Sequence, residues 1–61
     1  MIGDNIKFYR KKNQLTQDDI AEACNVTRQA VSKWENGESL PTVDNLYALS
    51  RLLHTSVDDI L

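Results

Sequence analysis

Residues 15–37 read LTQDDIAEACNVTRQAVSKWENG, and the order of polar and apolar side chains in this stretch decides the fold. Thr16 and Thr27 each stand just before a short helical pattern, where a side-chain hydroxyl can accept from the free N–H groups of a first turn. Asp19, three residues after Thr16, completes a relative of the capping box. Asp18, Asp19 and Glu22 fall in early turns, where carboxylates suit the helix macrodipole. Ile20, Ala21 and Cys24 make the inner face of the first pattern, and Val31 and Trp34 that of the second. Between them, Cys24-Asn25-Val26 leaves room only for a tight corner. A small side chain at Ala21 lets two helices cross closely, although alanine is also simply a good helix former. At about 100° per residue, Arg28, Gln29 and Lys33 share the outward face of the second pattern, opposite Val31 and Trp34. A corner of two helices with long polar side chains on the outer face of the second is the outline of a helix-turn-helix, about residues 16–36.

The same periodicity extends to both ends, giving an all-α chain of five helices with no strand pattern. Ile2, Ile6 and Tyr9 mark the buried stripe of a first helix over Gly3 to Lys12, ended by Asn13-Gln14. Asn36-Gly37 stops the third helix, with Gly37 free to take a positive φ. Leu40-Pro41 bends the chain into a fourth helix, Thr42 to Leu53, with Leu46, Leu49 and Leu53 inward. Ser56 caps a last short helix in which Val57, Ile60 and Leu61 complete the core.

Sixty-one residues make one domain, residues 1–61, with little apolar surface to spare. The formal net charge is −2, which by itself weighs against a nucleic-acid partner. The charges are unevenly spread: residues 1–37 hold six basic and five acidic side chains, and residues 38–61 hold one and four. The local field at a docking surface, not the total, governs phosphate attraction. One cysteine excludes an intramolecular disulfide, and a single Cys with a single His cannot supply a four-ligand structural zinc site. Cys24 falls on an apolar position and reads as an inert buried thiol. No segment is long and apolar enough for a membrane span or signal peptide, so the chain reads as a soluble intracellular domain. It is either a whole small protein or the N-terminal piece of a longer one. No glycine-rich phosphate loop and no spacing of nucleophile and base suggests an enzyme. Asp18-Asp19 and Asp58-Asp59 are adjacent pairs that diverge around a helix and suit capping better than catalysis. No cofactor is implied.

Thr16-Gln17, Ala21, the corner, Val26, Val31 and Trp34-Glu35-Asn36-Gly37 together resemble the lambda-type phage repressor and Cro family, the Xre-type regulators. The resemblance covers essentially the whole chain, Ile2 to Leu61. It implies a five-helix lambda-repressor-like fold whose third helix lies in the major groove of duplex DNA. Arg28 suits guanine and Gln29 suits adenine, with Lys33 one turn on. Ser32 lies beside Arg28 and reaches a phosphate or a base edge, and Thr27 and Asn36 bracket the helix beside backbone phosphates. Gln17 matches the polar residue that grips a phosphate at the start of helix 2. Without the surrounding motif, this set would be an ordinary solvated helix face. Arg10 and Glu35 match a structural ion pair of the family, linking helix 1 to the end of helix 3. Lys7, Lys11 and Lys12 are either a solvated helix end or a source of long-range attraction. Family members usually carry Gly where Asn25 stands, and Gly or Asn where His54 stands, while Thr55 replaces an apolar residue. Such domains bind an operator as homodimers, here through Leu40, Val43 or Tyr47, or Leu52, or through a C-terminal domain or protein partner. The implied role is a cytoplasmic repressor of bacterial or phage genes. The alternative is an antitoxin-like or scaffold module whose main ligand is a protein.

Overall fold

The computed structural model describes all 61 residues as five helices without a strand. They are α1 (Ile2–Lys12), α2 (Gln17–Cys24), α3 (Arg28–Asn36), α4 (Val43–Leu52) and α5 (Val57–Ile60). Boundaries expected from the sequence hold to within a residue. Thr42, read as the first residue of α4, is its N-cap, and α1 begins at Ile2 rather than Gly3.

One set of joints is repeated along the chain. Thr16, Thr27, Thr42 and Ser56 each accept, through the side-chain oxygen, the N–H three residues on. Thr16 and Asp19 form a full capping box, satisfying two otherwise free donors reciprocally. At the other ends, Gln14, Asn25, Gly37 and His54 take left-handed φ values of 59°, 55°, 78° and 54°. The next residue returns its N–H to a carbonyl five residues back: Leu15 to Arg10, Val26 to Ala21, Glu38 to Lys33 and Thr55 to Ser50. This is the Schellman closure of a helix end. Only one of the four uses glycine.

The joints fold the helices around Ile6, Ile20, Val31, Leu49, Leu53 and Ile60, all fully buried, with Ala21, Cys24 and Trp34 completing the core. Truncating one of the large members, such as Leu49 to Ala, costs about 2–5 kcal/mol, a large share of the stability of so small a domain. α3 packs against α1 and α2, and α5 closes against α1 and α4. Gly3 seats α1 on the end of α3, where a Cβ would collide with the carbonyl oxygens of Trp34 and Glu35. Asn5 donates to the Ile60 carbonyl, and Asn13 donates to the carbonyls of Tyr9 and Leu53. Leu61, expected in the core, is 57% exposed. Ile60 takes the inward position, and consecutive residues of a helical turn cannot share one face. Leu61 instead lines an open groove of about 340 Å³ with Met1, Ile2 and Leu40.

Candidate nucleic-acid interface

The Thr27 hydroxyl accepts from Ala30 N–H at 3.2 Å and so fixes where α3 begins. Its own proton remains available to donate. With the start fixed, Val31 and Trp34 turn into the core, and Arg28, Gln29 and Lys33 stand exposed on the other side. Ser32 is half-buried between the two faces, and Asn36 is exposed at the far end.

The charge at the helix starts separates α3 from the rest. Asp4 lies in the first turn of α1, Asp18 and Asp19 in that of α2, Asp44 in that of α4, and Asp58 and Asp59 in that of α5. The first turn of α3 has no carboxylate and carries Arg28. Its positive helix end is therefore left without an internal anion.

Gln17 is half-buried and faces inward as well as outward. Its Nε2 donates to Glu35 Oε1 at 3.1 Å, and its Oε1 accepts from Arg28 Nε at a long 3.5 Å. Sequence patterning marks Gln17 as polar and surface-directed. It gives no sign of these internal contacts, because the partners lie 18 and 11 residues away. The α2 start beside Gln17 is already occupied by Thr16 and Asp19. The Asp19 carboxyl is held below the usual range, first by the Thr16 N–H and then by the Thr16 hydroxyl.

Beneath the corner, Arg10 and Glu35 form a two-point ion pair, Nε to Oε2 at 2.7 Å and Nη2 to Oε1 at 3.1 Å. Their side chains are 13% and 3% exposed. Arg10 Nη1 also donates to the Leu15 carbonyl, in the loop entering α2. One continuous path of polar contacts thus runs from Leu15 through Arg10, Glu35 and Gln17 to Arg28. Cys24 lies near this corner but takes no part in the path. It is buried, and desolvation pushes its thiol up, which lowers its nucleophilicity at neutral pH.

Five helices with the second and third meeting at a capped corner, and an exposed polar face on the third, define a lambda-repressor-like helix-turn-helix domain. The chain belongs to the helix-turn-helix family, whose model matches residues 6–60. It is 43% identical over 60 residues to the HTH-type transcriptional regulator DicA of Escherichia coli, covering 98% of this chain and 44% of that protein. Among solved structures it is similar to the phage P22 c2 repressor in complex with a synthetic operator. There the TM-score is 0.93 at 36% identity, with 100% of this chain and 92% of that one covered. It is also similar to SinR, a master regulator for biofilm formation solved in complex with DNA. That match has a TM-score of 0.85 at 33% identity, covering 98% of this chain and 97% of that one. The chain spans less than half the length of DicA and 28% of the full P22 repressor C2. No helix is long and apolar enough to cross a membrane.

Proposed function

We propose that residues 1–61 form a single domain that reads duplex DNA for a transcriptional regulator acting as a repressor, with α3 in the major groove. The observation that carries this reading is the outer face of α3. Arg28, Gln29 and Lys33 stand exposed together behind the one helix start that has no carboxylate of its own. Arg28 and Gln29 have the donor and acceptor geometry for guanine and adenine edges. The hydroxyl proton of Thr27, the second amide N–H of Gln17, Ser32, Asn36 and the lysines of α1 supply phosphate contacts. Arg10 and Glu35 hold the corner from inside. The likeness to two regulators solved with DNA supports the assignment.

One domain offers few phosphate contacts, and its net charge of −2 adds little attraction. Two copies on an inverted-repeat operator set their recognition helices about 34 Å apart, in successive major grooves. Leu40, Val43 and Tyr47 are exposed and available for the contact between copies. Leu52 is half-buried against the core and is not. Such a reader works where bacterial or phage DNA lies, in the cytoplasm, and needs no cofactor.

The test is selection of bound sites from random duplex DNA, followed by titration of the selected operator and of its half-site. Replacing Arg28, Gln29 and Lys33 together by alanine should abolish sequence preference while the melting curve persists. Retained affinity and preference in a folded triple variant would overturn the assignment. Equal affinity for operator and half-site, at one protein per site, would overturn the dimer. The rival reading, a module whose main ligand is a protein, draws on the acidic balance and on the likeness to the antitoxin PezA of Streptococcus pneumoniae, 34% identical over 61 residues, and predicts no salt-dependent DNA shift.

A further inference from the structure

Five asparagines occur in the chain, and the residues that follow them are Ile6, Gln14, Val26, Gly37 and Leu46. An asparagine amide is lost when the next backbone nitrogen attacks its side-chain carbonyl carbon. A side chain on that next residue obstructs the approach. Only Asn36 is followed by a residue without one, and the space where a Cβ of Gly37 would sit is open. The Asn5 and Asn13 amides are tied to distant carbonyls, whereas Asn36 stands exposed at the end of α3. The peptide that must move is weakly held. Gly37 N–H is shared between the Lys33 and Trp34 carbonyls, the latter at 3.2 Å. Asn36 has to leave its helical conformation before the nitrogen can reach its side chain. At the last residue of a helix this breaks a few terminal bonds rather than the fold, and helix ends fray at little free-energy cost.

We propose that Asn36-Gly37 is a self-modification site at which deamidation removes the DNA-binding capacity of the domain. The loss of binding rests on α3 reading DNA as proposed above. Hydroxide takes the Gly37 amide proton, the nitrogen bonds to Asn36 Cγ, and the side-chain nitrogen leaves as ammonia with a proton from water. Water then adds to either carbonyl of the cyclic imide and opens it, giving an aspartyl or an isoaspartyl residue. Either product is a carboxylate at neutral pH. It stands at the negative end of the α3 dipole, two residues before the exposed Glu38 and on the side assigned to phosphates. The isoaspartyl form also lengthens the backbone just where Glu38 N–H returns to the Lys33 carbonyl.

The test incubates the folded protein in mildly alkaline buffer and maps its peptides by mass. The peptide carrying residue 36 should gain the difference between an acid and an amide and split into two isomers. Peptides carrying Asn5, Asn13, Asn25 and Asn45 should keep their mass, and so should residue 36 in Asn36→Gln, whose longer side chain closes the ring far more slowly. No gain at residue 36, over a time in which segment 33–39 as a free peptide is fully converted, would overturn the site. Equal conversion at the other asparagines would overturn it too. Passed over the selected operator, the aged mixture should leave the acid forms about tenfold depleted in the bound fraction. Asn36→Asp, shown by its melting curve to be folded, should lose about as much in direct titration. Even partition, or full affinity in folded Asn36→Asp, would overturn the loss of binding. If the unmodified protein selects no duplex DNA, the proposed reading face fails. A mass gain confined to residue 36 would then still support the modification site, with its effect on DNA overturned.

Discussion

The chain turns two comparable corners, α2 to α3 and α4 to α5, with the same parts. Each has a left-handed residue that is not glycine, Asn25 or His54. Each closes with a bond five residues back, and each restarts with a hydroxyl cap, Thr27 or Ser56. They diverge just beyond the cap. α5 opens with Asp58 and Asp59, which answer its helix dipole from within, while α3 opens with Arg28 and Gln29 and has no such answer. They differ beneath as well. The α4–α5 side is tied by two asparagine-to-carbonyl bonds, whereas the α2–α3 side stands on a buried ion pair. The joint is thus a general device for turning a chain. Under the proposed function, binding chemistry comes from the first turn after it.

Removing the support beneath the first corner should have the largest effect. Arg10→Ala leaves the Glu35 carboxylate buried without its cation, at a cost of about 3–5 kcal/mol. For a domain of this size that is on the order of 10 °C or more of melting temperature, or failure to fold. Thermal melting followed by circular dichroism reads it directly. An unchanged curve combined with lost DNA affinity would move Arg10 from the support to the binding surface.

Making the first turn of α3 resemble that of α5 should separate stability from binding. Gln29→Glu adds a carboxylate at the positive helix end, raising stability by about 0.3–1 kcal/mol. The same charge meets phosphates and cannot serve adenine as glutamine does, so operator affinity should fall about tenfold or more. Denaturant titration and operator titration of one preparation give both signs. A rise or fall of both together would break the contrast between the two helix starts.

A smaller difference should appear at the left-handed residues themselves. His54→Gly relieves a conformation that costs an L residue about 1–2 kcal/mol, offset by about 0.4–1 kcal/mol for the added freedom of the unfolded chain. The net gain should lie between about zero and 1.6 kcal/mol. Asn25→Gly should gain less, since asparagine tolerates this region. Urea midpoints at constant slope measure both. A larger gain at Asn25 would place more strain in the first corner than in the second.

The smallest effect is on pH dependence. Asp59 is held below the usual carboxylate range by the hydroxyls of Thr55 and then Ser56, and Asp19 by Thr16. A carboxyl lowered in the folded state adds stability above its unfolded value, about 3.9. That stability is lost as pH falls through the lower folded value. Asp59→Asn and Asp19→Asn should each flatten the acid limb of melting temperature against pH, leaving the neutral region almost level. An acid limb as steep as before in both variants would detach these caps from acid sensitivity.

Much of this was legible in the sequence because it is local. Thr16, Thr27 and Ser56 announce their helices within three residues, and the 3.6-residue spacing of Ile20, Cys24, Val31 and Trp34 marks the inner faces. What was not legible lies between distant residues. Asn13 reads as a helix terminator, yet its amide also ties the end of α4. Gly3 reads as the start of a helix, and nothing nearby signals that α3 ends against its bare Cα. The inward bond of Gln17 depends on the angle between α2 and α3, which no spacing encodes. Leu61 departs from the expected core position because two adjacent apolar residues, Ile60 and Leu61, leave periodicity nothing with which to choose between them.

The bond from Asn5 to the Ile60 carbonyl spans 55 residues of sequence, and it bears on the timing of synthesis. A ribosome adds about 5–20 residues per second, so residue 5 waits seconds for the partner that completes its packing. Throughout that interval the α2–α3 hairpin already exists as covalent chain, while the closure of α5 on α1 is still missing. Of these five helices, the last to be made is the one that locks the first. A polypeptide broken off before residue 60 therefore lacks the clasp that closes the five-helix domain.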